Sequence, residues 1–333
     1  MALSVLDRFY LIDDGFFSFN IKYLFFVGLW PEKTLTRNQL YLYKIYELFI
    51  HFLTTLFLIL AGIGTYQNRD DLVVVFSNLD KCLVVYNFFF KTIIFLIKRD
   101  ELRDLINEIE SSGDVVTEER KKLMANYVML ITGMTAAVVG AFSLLALFEG
   151  TMSIEAWLPF DPMKSSMNLI LSLQIIAFCV FPGLCRAFAM QGLVCSMIMY
   201  LCDQLIHLQN ELRDLKYVQE TEMVTRMKFK KIIKKHIRLM GYSMKMENIF
   251  KEYFLVQNLA VTVELCLNAV MVTVSQGIAL AAYESTWTSW PVDLQKDLLI
   301  VIVAAQRPLK LSAGGMALLS IQTFSQVKFI FIF

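Results

Sequence analysis

Charged residues are scarce in this sequence, and this scarcity excludes an ordinary soluble domain. Asp, Glu, Lys and Arg make up 18% of the chain, whereas hydrophobic residues make up 57%. A typical soluble domain carries about 25% charged residues, and the mean hydropathy here is +0.56. The composition therefore indicates that a lipid bilayer surrounds much of the protein. A net charge of +1 also argues against a nucleic-acid-binding protein.

Catalytic and metal-binding motifs are absent as well. The sequence contains no HExxH, GxSxG, P-loop or GxGxxG motif. Its three histidines are scattered along the chain, and its six cysteines form no CxxC pair. We therefore expect that the protein is not an enzyme and that it binds neither a metal nor a cofactor. The cysteines are expected to pack as small hydrophobic residues.

A cleavable signal peptide is also missing from the N-terminal residues. Asp7, Arg8, Asp13 and Asp14 lie where such a peptide needs an uninterrupted apolar core. The first membrane span is therefore expected to direct insertion into the bilayer.

Apolar runs long enough to cross a bilayer follow one another along the chain. A membrane helix needs about 20 mainly apolar residues. The runs cover residues 45–66, 72–97, 123–148, 165–202 and 253–282, and shorter runs cover 298–305 and 311–333. The predicted fold class is thus an all-α, polytopic helical membrane protein.

Lysine and arginine in the connections between the runs indicate the orientation. In chain order, the N-terminal segment and the next four connections carry 5, 1, 6, 1 and 11 of these residues. Because cytoplasmic connections carry the excess of Lys and Arg, the N-terminus and the basic segment 203–252 are predicted to be cytoplasmic. G-protein-coupled receptors place their N-terminus outside, so that class is disfavoured.

The fourth run is too long for a bilayer. From Met167 to Cys202 a continuous helix would extend about 54 Å, against about 30 Å of hydrocarbon. The part beyond Arg186 is therefore expected to project into the cytoplasm, where other helices must cover it. The predicted cover is the amphipathic stretch that follows, which begins with leucines at helical spacing: Leu205, Leu208, Leu212 and Leu215. We expect a cytoplasmic helical domain in this region.

The predicted outer ends of the second, third and fourth runs carry large apolar side chains without converging charges. A pocket among such side chains would suit a small neutral apolar molecule, and ordinary helix packing is the alternative for each residue. The candidate ligand-binding residues are Val75, Phe76 and Leu79 in the second run, Phe142, Leu145 and Phe148 in the third, and Met167 and Leu171 in the fourth.

Two features inside the runs carry expectations about packing. Gly133, Ala137 and Gly140 form a stripe of small residues in the third run, which permits close approach of another helix or leaves room beside a cavity. In the second run, Lys91 is costly in lipid, so it is expected to face protein or water.

The C-terminal part closely resembles the signature of insect odorant receptors. Ala281, Ala282, Tyr283 and Trp287 match the family's "AAYxSxW" element. A second element, "Q(R/K)PLxLxAG", is matched by Arg307, Pro308, Lys310, Ala313 and Gly314, and Thr323 with Phe324 match "ETF" except that Gln322 stands in place of Glu. The cytoplasmic N-terminus, the overlong fourth helix and the basic segment extend the resemblance over nearly the whole chain.

The resemblance implies a subunit of a ligand-gated, non-selective cation channel in the plasma membrane of olfactory neuron dendrites. The subunit would assemble as a heterotetramer with the shared odorant co-receptor, surrounded by membrane lipid, and small volatile ligands would bind in the outer half of its helical bundle. The cytoplasmic anchor that joins the subunits would include Tyr283, Trp287, Arg307, Pro308, Lys310 and Gly314, and the pore helix would include Thr323 and Phe324.

Two departures from the family pattern predict a shortened form. The 30 residues from Tyr253 to Ala282 are too few for the two spans that the family has there, which need about 40 residues. We therefore expect the fifth and sixth spans to be fused near Thr273 to Gln276. After Phe324 the chain supplies nine residues where the family continues for well over ten, so the pore helix is expected to be cut short. Two interpretations of the shortened sequence stay open: it is a splice variant, or it is a non-functional form.

These inferences divide the chain into three predicted regions. Residues 1–202 hold the N-terminal segment and spans one to four with the outer ligand pocket, and residues 203–252 form the basic cytoplasmic segment. Residues 253–333 hold the incomplete fifth and sixth spans, the anchor helix and the truncated pore helix. Two alternatives stay open: a gustatory-receptor-type channel subunit, and a secondary transporter, for which no inverted repeat is found in the sequence.

Overall fold

The computed structural model describes residues 16–114, 116, 118–150, 152, 154–215, 222–285, 287–289, 291–305, 312–313 and 317–318. Seven α-helices follow one another in this part: α1 Ser18–Phe26, α2 Arg37–Gln67, α3 Leu72–Ser111, α4 Glu118–Glu149, α5 Ser166–Arg213, α6 Glu222–Glu284 and α7 Val292–Ala305. Short 3-10 helices cover Pro162–Lys164 and Trp287–Ser289. Two-residue strands, β1 Ser312–Ala313 and β2 Ala317–Leu318, pair antiparallel with Ser312 opposite Leu318.

Each of the first six predicted runs coincides with a helix. The runs at 45–66, 72–97 and 123–148 lie within α2, α3 and α4, and the run at 165–202 begins with the residue that caps α5. The side chain of Ser165 accepts a hydrogen bond from the Met167 N–H and so starts α5 at this position. Among the described residues, α2 and α5 are long and apolar enough to cross a membrane by length and composition.

Residues 253–282 lie in one uninterrupted helix. The sequence predicts that this region has one span fewer than the family pattern. Helix α6 has 63 residues and continues without a break from Glu222 to Glu284. The chain does not turn back between Tyr253 and Ala282 and therefore has no room there for two antiparallel spans. Further along, β2 lies at the start of the predicted pore segment, and Thr323 and Phe324 lie outside the described residues.

The chain divides into two compact units. One comprises Met1–Gln67 and Lys81–Asn258, and the other comprises Asn68–Asp80 and Leu259–Phe333. The main apolar core lies in the first unit, where α1 and the turn after it pack with α3, α5 and α6. Fully buried side chains from α5, such as Met190, Leu193 and Met197, contribute about 2 kcal/mol each by leaving water.

The cover of the overlong helix differs in part from the prediction. Residues 203–213 continue α5 itself, so Leu205 and Leu212 cannot fold back onto the apolar run before them, and both are exposed. The apolar run packs against α1, α3 and the buried face of α6, where Leu239 belongs to the predicted amphipathic stretch and Tyr242 lies just beyond it. The physical reason is that residues 203–213 continue the same helix, and the side chains of one end of a helix cannot cover the side chains of another part of it.

Candidate functional site

The predicted ligand-binding residues of the first unit are widely exposed. Phe148 lies at the end of α4 and is 88% exposed, and Met167 and Leu171 on α5 are 74% and 47% exposed. Their apolar surfaces are therefore available to a ligand, to lipid or to a neighbouring chain. The side chains of Phe142 and Leu145 lie outside the described part of the structure.

The remaining three candidates belong to the second unit. Val75, Phe76 and Leu79 lie in the first two turns of α3, and each is partly buried. Their spacing of one, three and four residues places them on one side of the helix. The three residues therefore form one partly covered apolar surface.

The connection between α4 and α5 is held firmly against α2. The Trp157 N–H donates to the carbonyl oxygen of Leu60 over 2.9 Å. A side chain at Gly64 would place its Cβ only 2.4 Å from the Glu155 carbonyl oxygen, so the loop backbone touches the helix. The Asn168 amide donates to the carbonyl oxygen of Asp161 over 2.9 Å and ties the loop to α5. These contacts fix the loop that leads into the candidate residues of α5.

A compact apolar cluster lies between α2, α3 and α5. It is built from Leu53, Phe57, Leu58, Ala61, Cys82, Val85 and Cys179. Beside it lies a cavity of about 10 Å³ lined by residues that include His51, Thr54 and Gly183. A small-molecule pocket usually holds about 300–1,000 Å³, so this cavity has room for one water and not for an odorant-sized ligand.

A buried arginine holds the turn that follows α1. The Arg186 guanidinium donates to the carbonyl oxygens of Val27 at 2.9 Å, Gly28 at 3.2 Å and Glu47 at 3.0 Å. Burying a cation is costly unless its donors are paired, and these three carbonyls satisfy most of the guanidinium. Arg186 thereby joins the N-terminal segment and α2 to the middle of α5.

Other side chains complete this clasp around residues 25–31. Arg99 donates to the Leu29 carbonyl and to the Glu47 carboxylate, and Arg103 donates to the Pro31 carbonyl. The hydroxyls of Tyr43 and Tyr46 donate to the carbonyls of Phe25 and Phe26. Gly28 has φ +78°, a conformation that favours glycine, and a Cβ there would meet Arg186 and Tyr46 at 3.0 Å.

A second polar cluster surrounds Asp114 in the loop between α3 and α4. Its carboxylate accepts from the Tyr200 hydroxyl at 2.8 Å and from Arg238 at 2.7 Å, and Lys235 lies 3.6 Å away. Burial raises the pKa of this carboxyl, but the Tyr200 hydrogen bond and the two cations outweigh burial, so its pKa lies below the ordinary value. The ionised carboxylate therefore connects this loop to α5 and α6.

Lys91 faces protein, as predicted from its position in an apolar run. Its side chain is 1% exposed. The ammonium donates to the side-chain oxygen of Gln257 and lies 4.4 Å from the ring centroid of Tyr253, a cation–π contact. The Tyr253 hydroxyl lies 3.2 Å from the side-chain oxygen of Gln191. A polar connection thus runs from α3 through α6 to α5.

The small-residue stripe of α4 has no close helix neighbour in the described structure. A Cβ added at Gly133 or Gly140 would meet nothing within 4 Å. The close helix approach that the stripe permits is therefore not used within this part of the chain.

The predicted anchor residues are described only in part. Tyr283 is exposed near the end of α6, and Trp287 is partly buried in a 3-10 helix. The other four lie outside the described residues: Arg307, Pro308, Lys310 and Gly314. Their role in the anchor stays a prediction.

The clasp on residues 25–31 and the Asp114 cluster are not predicted from the sequence. The one available signal is a lone arginine, Arg186, inside a long apolar run, and that signal indicates only a position near the membrane interface. The partners of both clusters are mostly backbone carbonyls or residues far away in the chain, and no local spacing reveals such pairs.

Comparison with known proteins connects this geometry to a family. The family model described as "7tm Odorant receptor" matches residues 71–279 and 271–331. Odorant receptor 49a of Drosophila melanogaster is 39% identical over 54 residues, a match that spans 16% of this chain and 14% of that protein. The chain thus matches only a small part of this curated relative's length.

A solved structure supports the same fold. The insect olfactory receptor OR5 from Machilis hrabei, in complex with eugenol, has a TM-score of 0.52 and 13% identity, with 94% of both chains covered. Another structure of the same receptor has a TM-score of 0.48, again with 13% identity and 94% coverage of both chains. The complex with eugenol supports the helical fold of an insect olfactory receptor for this chain. The family match over most of its length shows that the chain belongs to the 7tm odorant receptor family, so it is a membrane receptor and not an enzyme.

Proposed function

We propose that this chain is an odorant-sensing subunit of a heteromeric, ligand-gated, non-selective cation channel. The observation that carries the proposal is the family match, which extends from residue 71 to residue 331. The match also favours an odorant receptor over the gustatory-receptor and transporter alternatives. The match to the curated relative is limited to 54 residues, so the ligand and the partners are inferred from chemistry and from the family resemblance.

The proposed ligand is a small volatile apolar molecule bound in the outer half of the bundle. Two separate observations support it: Val75, Phe76 and Leu79 form a partly covered apolar surface in the second unit, and Phe148, Met167 and Leu171 are exposed apolar side chains in the first unit. Phe142 and Leu145 belong to the same proposed site by their position in the sequence. An apolar wall binds neutral molecules mainly by removing their surface from water. The fixed loop beside α2 supports the site because it holds the start of α5 in place.

The proposed assembly is a heterotetramer with the odorant co-receptor in the plasma membrane, with the N-terminus in the cytoplasm. The alternation of Lys and Arg along the chain supports this orientation. Tyr283, Trp287, Arg307, Pro308, Lys310 and Gly314 would contribute to the anchor between subunits, and Thr323 and Phe324 to the pore helix. These roles follow from the resemblance of the C-terminal signature.

The chain is proposed to lack about one span near residues 273–276. Two observations support this: α6 passes through the region as one helix, and the two ranges matched by the family model overlap at residues 271–279. An overlap of this kind is expected where a segment of the family pattern is missing and its two flanks are joined. The transcript around this position tests the idea, because continuous coding with no omitted exon would argue against it.

Current measurements test the proposed function. This chain, and a form with the proposed missing span near residues 273–276 restored from its genomic sequence, would each be expressed with the co-receptor and exposed to a panel of volatile odorants. We expect odorant-evoked cation current from the restored form and a smaller current, or none, from this form. Equal currents would show that the proposed missing span is dispensable, and silence of both forms across the panel would contradict the proposed function.

A further inference from the structure

The small cavity between α2, α3 and α5 has a polar lining that comes from all three helices. His51 and Thr54 belong to α2, Thr92 belongs to α3, and Arg186 belongs to α5. Each of them lies in an apolar run, where a polar side chain is costly unless it has hydrogen-bond partners. The hydrogen bonds around the cavity therefore indicate what it can hold.

The ring of His51 has a nitrogen without a partner. Its Nε2 atom is buried and forms no hydrogen bond with the part of the chain that the structure describes. In a neutral imidazole one ring nitrogen donates and the other accepts. A water molecule both donates and accepts, so it would satisfy Nε2 in either tautomer of the ring.

The two threonine hydroxyls at the cavity have already donated their protons. Thr54 donates to the carbonyl oxygen of Ile50 at 3.1 Å. Thr92 donates to the carbonyl oxygen of Phe88 at 2.8 Å. Each hydroxyl oxygen keeps a lone pair that can accept a hydrogen bond, so the cavity presents acceptors from two different helices.

The guanidinium of Arg186 supplies a donor on the third helix. Its bonds to the carbonyl oxygens of Val27, Gly28 and Glu47 come from Nε and Nη2. A guanidinium has five N–H groups, so these three bonds leave the two N–H groups of Nη1 unused. Because Arg186 also lines the cavity, Nη1 is the donor that it can offer there.

The size and the chemistry of the cavity favour water over other occupants. Its volume of about 10 Å³ is close to the smallest that holds one water molecule. Arg186 would repel a cation, and an anion would meet the lone pairs of Thr54 and Thr92. Cavities that stay dry are lined by apolar side chains, whereas this one is lined by His51 and the three other polar residues.

We propose that one water molecule is bound in this cavity and joins α2, α3 and α5. It accepts from Nη1 of Arg186 and donates to Nε2 of His51 and to the hydroxyl oxygen of Thr92, with Thr54 as a further acceptor. Such a water makes about three hydrogen bonds, which is the usual number for a buried water. The site belongs to the packing of the first unit, so it depends on neither the ligand nor the partners of the proposed function.

The position of the site gives the water a role in α5. Pro182 has no N–H, so α5 lacks one of its main-chain hydrogen bonds beside the cavity. The next residue, Gly183, lines the cavity, and a Cβ there would lie 3.0 Å from the Thr54 hydroxyl oxygen. Helix α5 thus approaches α2 closely where its own backbone has fewer hydrogen bonds, and the water supplies hydrogen bonds between the helices at that point.

Hydroxyl-radical labelling tests the proposal. The full chain is placed in lipid nanodiscs and exposed to a brief X-ray pulse, which splits water into radicals that oxidise the side chains beside it. Phe88 lines the cavity, whereas Phe57 is 1% exposed and belongs to the neighbouring apolar cluster. We expect Phe88 to be oxidised at least about fivefold more than Phe57, because a bound water lies beside the first ring alone.

Matched variants assign the oxidation to the cavity. Thr92→Ile removes a hydroxyl and adds a carbon that fills the cavity, so the oxidation of Phe88 should fall to the level of Phe57. Thr55→Ile is the control: its hydroxyl likewise donates to the carbonyl oxygen four residues earlier, but Thr55 is not among the described residues that line the cavity. This control should leave the oxidation of Phe88 unchanged. Helix content and melting temperature show whether each variant is folded.

A double-mutant cycle of melting temperatures gives a second test. Thr54→Val and Thr92→Val keep the shape of the side chain, and each removes one acceptor of the water. Because both hydroxyls share that water, the double variant should lose less than the sum of the two single losses. The losses of Thr55→Val and Thr92→Val should add, since Thr55 does not share the water.

Three results would overturn the proposal. Equal oxidation of Phe88 and Phe57 in the unaltered chain would show that the cavity is dry. Equal effects of Thr92→Ile and Thr55→Ile on the oxidation of Phe88 would show that radicals reach this ring from elsewhere. Additive losses for Thr54→Val and Thr92→Val would show that the two hydroxyls do not share a water.

Discussion

At the scale of single residues, Arg186 has the clearest structural role. It is buried and donates to three carbonyl oxygens on two separate elements. Removing the guanidinium would take this donor away from the buried carbonyls of Val27 and Gly28, which lie outside any helix, whereas the Glu47 carbonyl keeps its partner inside α2. The side chain therefore stabilises the junction of the N-terminal turn, α2 and α5.

Arg186→Met is expected to lower the free energy of unfolding by about 2 kcal/mol or more, since each of the two buried turn carbonyls left unpaired costs about 1 kcal/mol or more. Arg186→Lys should cause a smaller loss because one ammonium reaches some, but not all, of the three carbonyls. The control is Arg120→Met, whose pair with Asp203 is half-exposed and should cost less than about 1 kcal/mol. Thermal unfolding in detergent measures all three, and equal losses at positions 186 and 120 would contradict the assigned role.

Asp114 predicts a dependence of stability on pH. Its folded-state pKa lies below the ordinary value of 3.8, so its contribution is fully present above that value and is lost as the pH falls through the folded-state pKa. Asp114→Asn should lower the melting temperature at neutral pH and flatten its decline in acid. Asp100→Asn, at a carboxylate that is 91% exposed, is the control. Melting temperatures measured between about pH 3 and pH 7 would refute the prediction if both variants followed the same curve as the unaltered protein.

At the scale of elements, the contact between α2 and the α4–α5 loop depends on a missing side chain. The Cβ that Gly64 lacks would lie 2.4 Å from the Glu155 carbonyl oxygen, which is closer than real atoms approach. The loop can therefore rest on the helix only where glycine is present. This is a close approach of two backbones, and it fixes the path of the chain into α5.

Gly64→Ala is expected to displace the loop and to destabilise the protein by about 1–3 kcal/mol, the usual cost of overpacking. Gly62→Ala on the same helix is the matched control because its Cβ would meet nothing nearer than the Tyr86 hydroxyl at 4.0 Å. That control should be neutral or stabilising by up to about 1 kcal/mol, the helix preference of alanine over glycine. Limited proteolysis of the loop and thermal unfolding would show the difference, and similar behaviour of the two variants would exclude a tight contact.

The helices also show how much of the fold can be predicted from the length and spacing of apolar runs. Apolar runs predicted the positions of six helices because a membrane or core helix needs a continuous apolar surface of known length. The packing of α5 beyond Cys202 was predicted less well. The leucine spacing near Leu205 indicated an amphipathic helix. The spacing alone does not identify the helix against which the apolar face packs.

At the scale of the whole molecule, the proposed function includes the binding of a small apolar ligand, and this binding can be tested at the start of α5. Met167 and Leu171 are candidates on α5, and burying their side chains against an apolar ligand would contribute about 0.8 kcal/mol per CH₂ group. Replacing either by alanine in the restored, current-carrying form should raise the half-maximal odorant concentration roughly tenfold. The maximal current should stay unchanged because the substitution alters binding and not the pore.

Ile206→Ala is the control for this prediction, since Ile206 is about as exposed as Leu171 on the same helix but lies at its other end. Odorant concentration–response curves with the co-receptor present provide the measurement. Equal shifts at positions 171 and 206 would argue against a ligand site at the start of α5.

The sequence by itself determined the class of protein, the helices and the family, because hydrophobic length, charge alternation and a motif such as "AAYxSxW" are properties of contiguous residues. It also predicts that two spans are fused near residues 273–276, and the continuous α6 and the overlap of the two family matches support this prediction. The tertiary structure alone decided the clasp of Arg186 on Val27 and Gly28 and the Asp114 cluster. The two clusters join residues separated by more than a hundred positions, and such pairs exist only once the helices have packed.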